Sequence, residues 1–143
     1  MTSATPGPRA LLHPGFIGAG SALLTAALGT DAMYGQTALM QWANFSAWLI
    51  TAGLVLALIA ALILIVDFAT GRAGRISWPP FLLSAAAVGL STVNVLVHSR
   101  DAWTSVMPLG ITLSAVVSVL LLVAAVGGWR VTTARMVDEG DRP

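Results

Sequence analysis

Four long apolar runs, broken by short polar stretches, set the pattern of this chain. Their cores run from Leu11 to Leu28, Phe45 to Val66, Phe81 to Val97 and Met107 to Val126. A hydrocarbon layer about 30 Å thick takes about 20 largely apolar residues per helix. Each run comes close to that length. None shows the charged face that a soluble bundle turns to water. The pattern therefore predicts an all-α integral membrane protein, a bundle of four transmembrane helices. With their flanks, the spans fall at about 11–30, 42–67, 79–98 and 107–128, inside a membrane domain covering 10–131. Residues 1–9 form a flexible cytoplasmic N-terminus and 132–143 a cytoplasmic tail in this reading.

The ends of the runs carry helix punctuation. Ser77 is placed to cap the third helix, with Pro79 and Pro80 in its first turn, where amide hydrogens lack helical partners. Pro108 opens the fourth span, and Gly127 with Gly128 loosens its end. Tyr34, Trp42 and Trp103 fall near one set of ends, Trp78 and Trp129 near the other, as two aromatic belts. Arg9, Arg72, Arg75, Arg130, Arg135 and Arg142 fall on one side, and Arg100 alone on the other. The positive-inside rule then sets both termini in the cytoplasm, in a bacterial-type inner membrane. A rival reading treats Arg9, the first apolar run and the small residues near Gly29 as a cleaved signal peptide, leaving three spans.

Composition narrows the chemistry. Charged residues make up 9% of the 143, against roughly a quarter in soluble proteins. A net charge of +1 offers no case for nucleic acid. There is no cysteine, so disulfides, thiolate metal sites and cysteine nucleophiles are excluded. No H-E-x-x-H, Walker or G-x-S-x-G motif occurs, and the sequence predicts no enzyme.

Helices in lipid associate through small residues that let backbones approach. Stripes stepping by four are Gly18, Ala22 and Ala26; Gly53, Ala57 and Ala61; Ala85 and Gly89; and Gly110, Ser114 and Ser118. They predict a close-packed bundle, with a homodimer seam as the alternative use of one face.

Polar residues in or beside the spans fall into two groups under this topology, and such residues are functional candidates by default. An outer cluster holds Asp31, Tyr34, Asn94, His98, Arg100 and Asp101. Ser91, Asn94 and His98 share one helix face, and an Asp31–Arg100 ion pair is expected. An inner cluster holds His13, Asp67, Arg72 and Arg75, with a His13–Asp67 hydrogen bond or an Asp67–arginine pair expected. The two histidines belong to opposite faces, separated by most of a layer about 30 Å thick, so they cannot ligate one haem within a subunit. No cofactor or metal is expected.

Certain residues in order also resemble a bacterial predicted membrane protein family, that of domain of unknown function 2231. They are His13-Pro14, Asp31, Gly53 with Asp67, Asn94 with Arg100, Pro108, and Gly127-Gly128. The resemblance covers about residues 10–131 and implies the fold and topology. Two departures occur: Gly18 and Leu90 stand where that family often has histidines. The sequence thus points to an accessory or scaffold subunit of a membrane complex. Its partners would be the bilayer, and a membrane protein or a second copy. A small transporter or channel with its mouth at the outer cluster is the first alternative, and a redox cofactor carrier the second.

Overall fold

The computed structural model describes residues 11–100 and 106–133. Four helices dominate: α1 (His13–Thr37), α2 (Met40–Ala69), α3 (Trp78–His98) and α4 (Leu109–Gly127). Each is long and apolar enough to cross a membrane. The predicted four-helix membrane fold is therefore what forms. At about 1.5 Å rise per residue, α1 and α2 exceed the hydrocarbon thickness. α1 runs on to Thr37, past the end expected near residue 30. It stops where Ala38 turns left-handed (φ 54°) and donates its amide hydrogen to the Tyr34 carbonyl at 2.7 Å. Only Ala38 and Leu39 separate α1 from α2, which fold back as an antiparallel pair.

α1 packs most extensively on α2, and α3 on α4; α1 also meets α4, whereas the α2–α3 seam is thinner. The α1–α2 contact is built on glycine. A Cβ at Gly53 would lie 2.7 Å from Leu24 Cγ, and one at Gly20 would lie 3.1 Å from the Gly53 carbonyl. Hydrogen at those positions is what lets the backbones approach. Leu24, Ala27, Ile50, Ala87, Val117 and Leu121, from all four helices, fill the middle of the bundle.

Some small-residue stripes point elsewhere than expected. Gly18, Ala22 and Ala26 are exposed, as are Ala61, Ala85 and Gly89. The buried faces run instead through Gly20, Leu24, Ala27 and Asp31 on α1, and Ala87, Ser91 and Asn94 on α3. A stripe of alanines marks a helix face but not which face, because lipid accepts alanine as readily as a neighbouring helix does. Gly53, Gly110 and Ser114 do lie at contacts.

A feature absent from the sequence reading lies at the end where α1 begins. Ala73–Ile76 (β1) pairs antiparallel with Val131–Thr133 (β2), in a two-stranded ribbon. The Ser77 amide hydrogen continues the pairing by donating to the Arg130 carbonyl at 3.0 Å. Ser77 precedes α3 as expected, but its side chain makes no capping bond. The ribbon satisfies backbone groups at the bundle end, where the polar atoms of a loose loop would need water.

Candidate functional site

The polar side chains gather at two nodes, one towards each end of the bundle. The first is built around Asp31. Because α1 continues to Thr37, Asp31 sits inside the bundle and not at its rim, with no solvent exposure. Six residues of helix beyond it place it about 9 Å below the helix end. Each of the other three helices sends it a partner. Ser46 of α2 donates to Oδ1. Ser114 of α4 donates to Oδ2 at 2.6 Å. His98, the last residue of α3, brings Nε2 to 2.9 Å from Oδ1. Asn94 Nδ2, one turn earlier, donates to Ser114 Oγ at 2.8 Å, and Thr30 Oγ1 lies 2.6 Å from Ser46 Oγ.

Protonation follows from counting donors. His98 Nδ1 lies 3.0 Å from the Asn94 carbonyl, which can only accept, so Nδ1 carries a hydrogen. Nε2 then meets a carboxyl oxygen, and that contact must hold one proton. The pair is a neutral unit, either imidazolium with carboxylate or imidazole with carboxylic acid. A neutral unit is what a low-dielectric interior tolerates. Two buried polar atoms stay unpartnered here: Asn94 Oδ1 and the Ser91 hydroxyl.

The expected Asp31–Arg100 pair does not form. Both Asp31 oxygens are taken inside the bundle, and Arg100 is exposed beyond the end of α3. Tyr34 lies outside the node, buried with Ala43 and Val106 against Trp42. Asp101 lies outside the described residues. Ser46 and Ser114 were missed as node members. The available signal was a hydroxyl at comparable depth on α2 and α4, among others on the same helices.

The second node joins α1 and α2 at the opposite end. His13 Nδ1 donates to Asp67 Oδ2 at 3.3 Å, both residues being almost wholly buried. Arg72 Nε lies 3.5 Å from Asp67 Oδ1, and the Arg72 amide hydrogen donates to the Asp67 carbonyl at 2.8 Å. Trp129 meets the His13 ring edge-on, with centroids 6.2 Å apart. His13 Nε2 is buried and without a partner. Both expected contacts of Asp67 therefore occur together. Arg75 lies on β1, exposed. The aromatic belts are incomplete, because Tyr34 is buried and Trp129 is turned inward against His13 and Phe81.

The apolar middle layer lies between the nodes, and His13 and His98 sit at opposite ends of parallel-running helices. Among the described residues, no three His, Asp or Glu side chains gather as a metal site. What the two nodes do chemically is tie helices together through groups that lipid cannot satisfy.

The family described as predicted membrane protein (DUF2231) matches residues 9–139 of the chain. No curated protein matches, and no solved structure matches. Half of the residues that carry the sequence resemblance fall on the contacts just described. His13, Asp31, Asp67 and Asn94 belong to the nodes, and Gly53 to the α1–α2 approach.

Proposed function

The chain belongs to the DUF2231 family of predicted membrane proteins, and we propose that it is a non-enzymatic accessory or scaffold subunit of a membrane complex. The observation that supports this reading is the arrangement along the bundle axis. Two polar nodes fasten the ends, and Leu24, Ala27, Ile50, Ala87, Val117 and Leu121 close the middle. A conduit for protons or ions needs polar groups in succession, and this layer offers none. The partner is a second copy or another membrane protein. The outward face of α1 suits such a contact: Gly15, Gly18 and Gly29 have nothing near their missing Cβ atoms, and close helix approach needs such positions.

Native mass spectrometry of protein gently extracted from its own membranes tests the role. The expected spectrum is a dimer or a complex with a second membrane protein. A monomer that keeps a stoichiometric cofactor and no partner overturns the proposal.

The same proposal sets both termini in the cytoplasm of a bacterial inner membrane. Among the described residues, Arg72, Arg75 and Arg130 support that orientation, standing at one end with Arg100 alone at the other. The chain has no cysteine, so single cysteines report cleanly. A thiol at Thr70→Cys should react with impermeant reagent only from the cytoplasmic side, and one at Gln36→Cys only from outside. The reverse pattern inverts the topology.

A further inference from the structure

The thin α2–α3 seam opens into apolar space at the His13 end. A cavity of about 270 Å³ lies between Ala57 and Leu64 of α2, Ser84 and Val88 of α3, and Leu24 of α1 behind them. Trp129 forms part of its wall. A second cavity of about 810 Å³ adjoins it through Ala61, Leu64 and Phe81, and continues past Trp78 to Arg75. Volumes of about 300–1,000 Å³ are typical of ligand sites. Space of this kind left empty forfeits dispersion contacts along its walls. One lining residue carries an unmet donor. Trp129 Nε1–H is buried, and no acceptor meets it. A buried donor without an acceptor is costly, so a ligand carbonyl there would be favoured.

We propose that this seam holds one acyl chain of an anionic phospholipid. The chain lies between α2 and α3 and reaches towards Leu24. Its ester carbonyl accepts from Trp129 Nε1, and its phosphate stands beside Arg75. The polar groups fit in depth: Trp129 follows the end of α4, and Arg75 lies on the ribbon just before α3, so both stand at the bundle end. Trp78, Phe81 and Trp129 form a chain of ring contacts along this route, with centroids 5.7 Å and 6.1 Å apart. Lipid fits better than a protein helix. A helix is about 10 Å across and cannot pass behind α2 to reach α1, whereas an acyl chain is slender. The arginine at the mouth selects an anionic headgroup over a zwitterionic one.

The test uses purified full-length protein exchanged into detergent with phosphatidylglycerol or phosphatidylcholine of identical chains. Native mass spectrometry should show one phosphatidylglycerol retained under activation that strips phosphatidylcholine. Trp129→Phe, which removes the donor and trims the ring while keeping an aromatic wall, should lower occupancy about fivefold, the effect of one ordinary hydrogen bond. Arg75→Gln should abolish the preference between the two lipids while leaving chain occupancy. Ala61→Phe should empty the seam, and Ser84→Leu on the opposite wall should do the same if the first variant folds poorly by circular dichroism. Both lipids leaving together, with no dependence on these variants, would mean loosely surrounding lipid only and overturn the site. So would a protein mass replacing the lipid at the seam.

Discussion

Replacing Asp31 with leucine is expected to weaken the bundle by about 3 kcal/mol or more, the largest loss of any single substitution in the core. Removing one partner of a buried pair typically costs about 3–5 kcal/mol, because the other is left uncompensated. Here the orphans come from three helices: His98 Nε2, and the hydroxyls of Ser46 and Ser114. An ordinary hydrogen bond between membrane helices contributes less, about 0.6 kcal/mol on average and about 1.7 at most. Asp31→Asn, which keeps the shape and an acceptor oxygen, should therefore cost only about 1–2 kcal/mol. The double variant Asp31→Leu/His98→Leu should regain much of the single-variant loss, since apolar replacement of a whole buried pair is often near neutral. Unfolding in sodium dodecyl sulfate, followed by far-ultraviolet circular dichroism, measures all three. Additive losses in the double variant would show that the two residues do not act as a unit.

The second large effect is steric. Gly53→Leu should separate α1 from α2 and cost about 1–3 kcal/mol, the usual range for overpacking a filled contact. Its first side-chain carbon would fall 2.7 Å from Leu24 Cγ and 3.1 Å from the Gly20 carbonyl. Leu24 can rotate away, but the carbonyl belongs to the backbone and can yield only if the helix shifts. Gly18→Leu is the matched control. Nothing lies within 4 Å of its missing Cβ, and leucine is the better helix former, so the monomer should be no less stable. The same unfolding assay compares the two. Equal losses would mean that α1 is rotated from the face described.

These effects show what the sequence makes legible. Apolar run length was enough to find four spanning helices, because the bilayer sets that length and little else competes with it. Pairing across the bundle was harder. Asp31 looked like the end of a span only because Tyr34, Gln36 and Thr37 are polar, yet the helix runs through them and carries the carboxylate inside. Arg100 follows α3 at the same face and so looked like the partner of Asp31, but it lies beyond the end of the helix while the carboxylate lies inside. His13 and Asp67 were legible, since each marks the same end of neighbouring antiparallel helices. Ser46 and Ser114 were not singled out as node members, because a hydroxyl in an apolar helix usually bonds its own backbone, as Thr51 and Thr92 do. The β1–β2 ribbon was illegible for another reason. Its strands are three and four residues long and are set by what the loops can pair with, not by their own pattern.

The claim at the centre of this account is that Asp31 and His98 fasten a closed bundle and do not pass ions. Proton and cation flux into vesicles containing the purified protein tests it most directly. Wild type and Asp31→Leu/His98→Leu should both match protein-free vesicles, the polar node being a clasp above an apolar plug. Flux above that blank in the wild type, lost in the double variant, would contradict the account and make the node a transport site.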